Sequence, residues 1–179
     1  MHFLERFYNK TLKRDLINKF AYTDTKDLPT IKKIILNFGC KTVDIKQLAS
    51  SLLALELISN QKGFLTKTNY PNILFKIRKG NPTGCKVTLS KSKQSIFLGT
   101  LVLEIFPKLK NFKGFNVTKK LRKNVFSWEF GENFSFSELE SHYYLFNNLP
   151  KLDITIVTNT KTERELLFLL KSFQLPFKN

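Results

Sequence analysis

Residues 75–89 read FKIRKGNPTGCKVTL. In the part CKVTLS (85–90), apolar side chains alternate with polar ones, among them Lys86 and Thr88. Successive side chains of a β-strand point to opposite faces of a sheet. The pattern therefore predicts a strand with one apolar face and one basic or polar face.

The residues just before this strand alternate in the same way. In NILFKIR (72–78), Lys76 and Arg78 fall on the side opposite to Ile73, Phe75 and Ile77. The connection KGNPTG (79–84) contains the glycine and proline residues that turns use. We therefore expect two neighbouring strands that share a basic face.

The charge around this stretch is unbalanced. No Asp or Glu lies between Glu56 and Glu104, whereas eight Lys and Arg side chains do. The net charge of the 179-residue chain is +16, and residues 1–128 carry 25 basic and 7 acidic side chains. Residues 129–179 carry 5 basic and 7 acidic ones. Such a concentration of positive charge favours a nucleic acid or an anionic membrane surface as the partner.

The rest of the chain predicts a mixture of helices and strands. Helices are expected over residues 3–19, 44–63, 92–106 and 162–173, the first two from their apolar spacing. Further strands are expected over 31–39, which is rich in β-branched residues and ends at Gly39, and over 152–160, which alternates. Asp44 is expected to cap the second helix and Gly63 to end it, and Pro107 to follow the third. Thr162 and Glu165 form a capping-box pattern. Residues 107–135 are basic, aromatic and irregular. The pattern is α+β, with helices packed against a mixed or antiparallel sheet.

The sequence lacks the motifs of common enzymes. It contains no Gly-rich phosphate loop, no HExxH and no GxSxG. Glu129, Glu132, Glu138 and Glu140 offer carboxylates for a nuclease, but no histidine-and-carboxylate arrangement accompanies them, so an exposed acidic loop is expected. His142 lies among aromatic residues and is expected to be a packed or surface histidine. We expect no catalytic residue.

The cysteines do not predict a metal site. Cys40 and Cys85 are far apart without a CxxC pattern, and His2 and His142 are poorly spaced to complete a zinc site. Two buried free thiols and no cofactor are therefore expected. No run approaches the ~18 apolar residues of a membrane span. The amphipathic basic helix over 3–19 leaves a peripheral membrane protein open as an alternative.

The predicted basic face suits the sugar-phosphate backbone of a nucleic acid. Lys and Arg give salt-dependent affinity, and Asn, Gln and Thr add hydrogen bonds that fix the register. RNA is favoured over DNA because folded RNA offers 2′-hydroxyls, loops and shape. The alternative is a solvated sheet edge that lysines keep soluble.

Several sequence segments, taken in order, are similar to a known family. They are FYNKTLKRDLINKFAY, LPTIKKIILNFG, ISNQKGFLTKT, FKIRKGNPTGCKVTL, FPKLKNFKGF and LDITIVTNTKTERELLFLLKSFQLPFK. Together they resemble the ribosomal protein L5 family of the large subunit, in its bacterial and organellar form. The resemblance implies a single domain over 1–179, with a 5S rRNA-binding part over 1–100 and a C-terminal part over 101–179.

The resemblance also implies a function. Members hold 5S rRNA in the central protuberance, next to large-subunit rRNA and other proteins of that region. Contacts to 5S rRNA are expected from Asn37, Gln61, Lys62, Lys67, Lys86 and Thr88. Contacts to peptidyl-site tRNA are expected from an extended loop with Lys76, Arg78 and Lys79. An intersubunit bridge to the small-subunit head protein S13 is expected from Lys108, Lys110 and Lys113.

Two further expectations concern alternatives and location. A free-standing RNA-binding or RNA-chaperone protein would use the same basic face.

The resemblance begins near residue 3 and leaves no room for a targeting peptide, and the abundance of Phe, Asn and Lys is typical of an AT-rich genome. We therefore expect a protein encoded and made in a mitochondrion, with a plastid or a bacterial cytoplasm as the alternatives.

Overall fold

The computed structural model describes residues 3–40, 44–110, 112, 114–116 and 121–178. Within these residues, strands form one six-stranded sheet: β1 (Ile31–Gly39), β2 (Phe64–Lys67), β3 (Pro82–Leu89), β4 (Leu121–Arg122), β5 (Val125–Phe130) and β6 (Leu152–Thr158). The strand order is β2-β3-β1-β6-β5-β4. The pairs β2–β3 and β4–β5 are antiparallel. The expected α+β class, with helices packed against an antiparallel sheet, is confirmed.

The helices vary widely in length. They are α1 (Phe3–Phe7), α2 (Lys13–Lys19), α3 (Ile45–Ser59), α4 (Ser92–Thr100), α5 (Phe106–Lys108), α6 (Ser137–Glu140), α7 (Tyr143–Phe146) and α8 (Glu163–Ser172). A π-helical turn, Tyr8–Leu12, joins α1 to α2, and another, Leu101–Ile105, joins α4 to α5. In the described part of the chain, no helix is both long and apolar enough to cross a membrane.

The chain divides into two compact units, each built from separated segments. Unit 1 contains residues 1–34, 90–128 and 155–179, and unit 2 contains residues 35–89 and 129–154. The two units interleave along the sequence, whereas the expected parts 1–100 and 101–179 are continuous segments. The expected division into a 5S rRNA-binding part and a C-terminal part therefore stays a prediction.

Each unit has its own buried apolar side chains. In unit 1 they include Leu12, Leu16, Leu98, Leu101, Ile105, Leu166, Leu169 and Leu170. In unit 2 they include Leu36, Phe38, Leu48, Leu55, Val87, Leu89, Phe136, Phe146 and Ile154. Leucine dominates the first set, and leucine and phenylalanine dominate the second, so removal of apolar surface from water is the main stabilising term in each unit.

Helix α3 packs on β3 in unit 2 and begins as expected. The Asp44 carboxylate accepts a hydrogen bond from the Lys46 N–H at 3.0 Å. The expected end at Gly63 is wrong, because Asn60 adopts a left-handed conformation with φ 46° and ends the helix. The Gly63 N–H donates to Glu56 Oε1 at 2.9 Å, and an added Cβ would lie 2.7 Å from Leu52.

The strand expected over 72–78 is wrong. These residues form a tight turn in which Ile73 and Leu74 are each 91% exposed, and only Ile77 is buried. The reason is local, because Asn72 Oδ1 accepts a hydrogen bond from the Leu74 N–H at 3.1 Å and thereby starts a turn. The partner of β3 is therefore β2, and Lys76 and Arg78 do not lie on a strand beside Lys86.

Two further expectations in the middle of the chain are corrected. The helix expected to end before Pro107 continues to Lys108, because Pro107 lies in the first turn of α5, where its missing N–H is tolerated. The region 107–135 is not wholly irregular, since VFSWEF (125–130) forms β5 with every second side chain buried.

The remaining strands and the last helix agree with the sequence. Strand β1 has the expected bounds, and β6 occupies most of 152–160. Thr162 caps α8 by accepting a hydrogen bond from the Glu165 N–H at 3.3 Å. The Glu165 carboxylate accepts from the Lys161 N–H at 3.0 Å, one residue before the cap.

Candidate nucleic-acid interface

The strands of unit 2 have one buried face and one partly exposed face. Leu36 and Phe38 of β1 are buried, whereas Asn37 between them is half-buried, and β3 and β6 show the same alternation. In the β2–β3 register, Phe64 lies opposite Lys86, so both side chains point to the same face. We call this the outer face. It carries Asn37, Phe64, Thr66, Lys86, Thr88, Glu129 and Asp153.

The charge of the outer face changes along the strand order. Lys86 is exposed on β3, next to Phe64, whose side chain is 70% exposed. Asp153 on β6 and Glu129 on β5 carry the negative charge, and Glu129 forms an exposed ion pair with Lys151 at 3.6 Å. Phosphate groups are therefore favoured on the β2–β3 side of the outer face and disfavoured on the β6–β5 side.

Asp153 fixes the orientation of Asn37. The Asn37 Nδ2 group donates a hydrogen bond to Asp153 Oδ2 at 3.3 Å. An ionised carboxylate only accepts hydrogen bonds, so Asn37 must present its amino group to Asp153. The carbonyl Oδ1 of Asn37 then remains as an acceptor for a ligand.

The expected residues Gln61 and Thr88 lie together. Gln61 follows α3, is half-buried, and donates from Nε2 to the Thr88 backbone carbonyl at 3.3 Å. The hydroxyl of Ser59 donates to the Gln61 carbonyl at 3.1 Å. Gln61 therefore links the end of α3 to β3 and keeps Oε1 as its acceptor. Lys62, the next residue, is exposed.

The segment between β2 and β3, residues 68–81, is an ordered loop. At its base, the Gly80 N–H donates to the Thr68 carbonyl at 2.9 Å, and the Thr68 hydroxyl donates to the Arg78 carbonyl at 2.9 Å. At its tip, Asn72 and Ile77 exchange two backbone hydrogen bonds of 2.9 Å. These bonds give the loop a defined shape without packing its side chains.

The side chains of this loop are mostly in solvent. The expected tRNA-contacting residues Lys76, Arg78 and Lys79 are all exposed, and Lys76 has a φ of 52°. The tip between them and β2 is apolar, because Ile73, Leu74, Phe75 and Tyr70 are exposed as well. Lys67, at the end of β2, is exposed near the base of the loop. The loop therefore carries cationic side chains both in its tip, at Lys76, and in its stem, at Arg78 and Lys79, beside the exposed apolar side chains of the tip.

The segment expected to form the intersubunit bridge lies in unit 1. Lys108 and Lys110 are exposed, and Lys113 lies outside the described residues. The segment is anchored by aromatic packing, since Phe112 stacks on Phe106 with ring centres 5.5 Å apart, and Phe115 is buried. The Phe115 N–H also donates to the Pro176 carbonyl at 2.8 Å.

Comparison with known proteins assigns the family. Residues 82–177 match the model that describes the C-terminus of the ribosomal L5 protein family. The chain is 38% identical to the large ribosomal subunit protein uL5m of Reclinomonas americana over 178 residues, which cover 98% of each chain. It is 35% identical to the large ribosomal subunit protein uL5 of Nitrosomonas europaea, again with 98% of each covered. The chain belongs to the ribosomal protein L5 family.

The match divides the expected site of this L5 family member into two parts. Lys86 and Thr88 of β3, together with the segment after Pro107, lie within the matched 82–177. Asn37, Gln61 and the loop over 68–81 lie before it, where the two relatives of near-equal length still align with the chain.

Sequence reasoning missed four residues of the outer face in this L5 family chain. Phe64 and Thr66 were missed because the strand FLTK is too short for its alternation to be recognised, and 72–78 was assigned as the partner of β3 instead. Asp153 and Glu129 were missed because only the strand order reveals that they share a face with Asn37. The alternation of β6 indicated that Asp153 lies on the polar face of its strand, but it did not indicate that Asn37 lies beside it.

The cysteines have the expected environment, whereas the acidic residues have it only in part. Cys40 and Cys85 are buried free thiols, and burial raises the pKa of Cys85 to about 12. Glu129, Glu132, Glu138 and Glu140 are all exposed, as expected, but the expected loop is wrong, because Glu129 lies in β5 and Glu138 and Glu140 lie in α6. Among the described residues, no group of three His, Cys, Asp or Glu side chains is arranged to hold a metal ion.

Proposed function

We propose that this chain is a structural constituent of the large ribosomal subunit that binds 5S rRNA through the outer face of unit 2. The observation that carries the proposal is that Lys86, Thr88 and Asn37 lie on one sheet face, with Gln61 bonded to the same strand. The near-full-length similarity to two proteins named as large ribosomal subunit proteins supports the assembly.

The side chains of this surface suit RNA. Lys62, Lys67 and Lys86 are exposed and neutralise phosphates. Asn37 Oδ1 and Gln61 Oε1 accept hydrogen bonds from 2′-hydroxyls or base amino groups, and the Thr88 hydroxyl both donates and accepts. The ring of Phe64 offers a face on which an unpaired base stacks.

The loop over 68–81 serves a second RNA in this proposal. Lys76, Arg78 and Lys79 contact the backbone of peptidyl-site tRNA, and the ordered base of the loop holds them away from the sheet. The support is their exposure and the backbone and side-chain hydrogen bonds that connect Thr68, Asn72, Ile77, Arg78, Gly80 and Asn81. In the same proposal, the chain also contacts large-subunit rRNA and other proteins of the central protuberance.

The bridge and the location belong to the same proposal. Lys108, Lys110 and Lys113 face the small-subunit head and its protein S13, supported by the aromatic packing that anchors this segment in unit 1. The chain acts in translation as a binding protein and not as an enzyme. A mitochondrion is its proposed location, supported by the uL5m name of the relative from Reclinomonas americana.

Sedimentation of a tagged chain from its own cells tests the assembly. The ribosomal proposal predicts that the tag sediments with large subunits and recovers 5S rRNA in a one-to-one ratio. A free-standing RNA-binding or chaperone protein instead predicts a slowly sedimenting pool that carries many RNAs. A tag found wholly in such a pool would overturn the proposal.

A further inference from the structure

The N-terminal helical segment of unit 1 carries basic side chains that the proposed function does not use. Arg6 lies in α1, Lys10 in the π-helical turn and Arg14 in α2, and all three are exposed. They are spaced four residues apart. We call these three residues the basic row.

The π-helical turn brings the basic row into line. In a regular α-helix, each step of four residues rotates by about 40° around the axis, so a row of three drifts by about 80°. A π-turn has more residues per turn and reduces this drift. The bond that defines it is the Lys13 N–H donating to the Tyr8 carbonyl five residues earlier.

Neighbouring contacts hold the π-turn in place. The Tyr8 hydroxyl donates to the Pro29 carbonyl at 2.9 Å, and the Tyr8 ring stacks on Phe173 with centres 6.3 Å apart. The Lys13 ammonium lies over the Tyr8 ring at 5.4 Å, so Lys13 is engaged there and is not a member of the basic row. The alignment is therefore a fixed feature of this helix.

No acid neutralises the basic row among the described residues. The described ion pairs join Lys151 to Glu129 and Lys161 to Asp27. Glu5, the acid next to Arg6, lines a cleft of about 230 Å³ together with Leu4, Tyr8 and Gln94. Asp15 follows Arg14 by one residue, which places it about 100° around the helix from the row.

An anionic membrane is the less suitable partner for this helix. A helix that lies in a membrane interface inserts an apolar face into the lipid. Here that face is occupied, because Leu4, Leu12 and Leu16 are buried within the protein. The exposed apolar residues Phe3 and Ile17 are single residues near the two ends of the segment. Only a polar, cationic face remains for a partner.

We propose that the basic row binds the sugar-phosphate backbone of an RNA helix, as a contact additional to the outer face of unit 2. The proposal goes beyond the proposed function, because none of its residues lies on the outer face or in the loop over 68–81. Arg and Lys neutralise phosphates without reading bases. The contact therefore adds salt-dependent affinity with little preference for sequence.

A matched pair of triple variants tests this proposal. The first is Arg6→Gln/Lys10→Gln/Arg14→Gln, and the control is Lys26→Gln/Arg164→Gln/Lys171→Gln, which removes the same charge from exposed positions of unit 1. Glutamine is a good helix former, so both variants should keep their helix content, which circular dichroism checks. The probe is a short RNA duplex of arbitrary sequence, titrated at several salt concentrations.

The row variant should bind the duplex more weakly, with the log–log salt slope smaller by about 3, since each phosphate that is no longer neutralised lowers the slope by about 0.9. The control variant should change the slope by less than about 1. Equal losses in the two variants would overturn the proposal, because the effect would then be one of net charge. Loss of binding to anionic phosphatidylglycerol vesicles, with duplex binding retained, would also overturn it.

Two additional measurements allow the proposal to be tested if the triple variant does not fold or if the proposed function fails. If the triple variant fails to fold, Lys10→Gln against Lys171→Gln should still show a slope smaller by about 1, and an unchanged slope contradicts the proposal. The ratio of 5S rRNA to duplex affinity depends on the outer face. If wild type shows no preference for 5S rRNA, the proposed function fails while the duplex test of the basic row remains decisive.

Discussion

At the residue scale, the outer face depends on side chains whose orientation is set by their neighbours. Asn37 is oriented by Asp153, and Gln61 is oriented by the Thr88 carbonyl. In both amides the amino group is engaged by the protein, which leaves the carbonyl oxygen for a ligand. The exposed Lys86 acts through its charge and needs no such orientation. Removing a lysine and removing a polar group should therefore have different effects.

Lys86 and Thr88 provide the direct comparison. We expect Lys86→Gln to weaken binding to 5S rRNA and to reduce the salt slope by about 1, because one phosphate is no longer neutralised. Thr88→Ala should leave the slope unchanged and reduce the preference for 5S rRNA over tRNA. Lys171→Gln is the charge-matched control. A wild-type slope in Lys86→Gln would count against Lys86 as a phosphate-binding residue.

Gly84 is needed for the close approach of β3 and β1. A Cβ at this position would lie 2.6 Å from the Phe38 carbonyl oxygen and 2.8 Å from Thr66 Oγ1. Gly84→Ala should therefore lower the free energy of unfolding by about 1–3 kcal/mol, as overpacking does. Gly39→Ala is the control, because nothing lies within 4 Å of its added Cβ. Equal denaturation midpoints for the two variants would contradict this account of Gly84.

Cys85 should make stability depend on alkaline pH. Burial raises the pKa of its thiol from 9.0 to about 12. The neutral buried thiol is favoured in the folded state, so its contribution is complete below pH 9 and is lost as the pH rises from 9 towards 12. Urea denaturation should show that the free energy of unfolding falls more steeply with pH above pH 9 for wild type than for Cys85→Val. Parallel curves would show that the thiol does not contribute.

At the element scale, the sequence predicted the elements with a clear period and a clear cap. Strand β6 alternates over its whole length, β1 is rich in β-branched residues, and the Thr162 cap marks the start of α8. The prediction from the sequence failed at 72–78, because an alternating pattern is also compatible with a turn when the Asn72 side chain accepts a hydrogen bond from the backbone. The π-helical turns have no sequence pattern that distinguishes them from α-helix.

The loop over 68–81 gives a prediction for one element. Thr68→Val keeps the shape of the side chain but removes its hydrogen bond to the Arg78 carbonyl. We expect weaker binding to tRNA, because Arg78 and Lys79 lose their fixed placement, and unchanged binding to 5S rRNA. Filter binding with both RNAs measures this, and Thr25→Val, an exposed position in unit 1, is the control. An equal loss for both RNAs would contradict separate roles for the loop and the outer face.

At the scale of the whole molecule, charge and composition narrowed the class of partner but did not locate the surface. A net charge of +16 and its concentration in residues 1–128 favour a nucleic acid or an anionic membrane surface. Resemblance supplied Asn37, Gln61 and Thr88, and the structure joins Gln61 to Thr88 by a hydrogen bond. Phe64, Asp153 and the alignment of the basic row depend on strand order and helix geometry, so they required the fold.

The most direct test of the central claim is a salt titration of the purified wild-type chain against the 5S rRNA of its own ribosome and a tRNA of similar length. Binding through the outer face predicts tight, salt-sensitive binding with a strong preference for 5S rRNA, because charge is combined with oriented amide and hydroxyl groups. Equal affinity for the two RNAs at every salt concentration would contradict the claim and leave only non-specific attraction of phosphates.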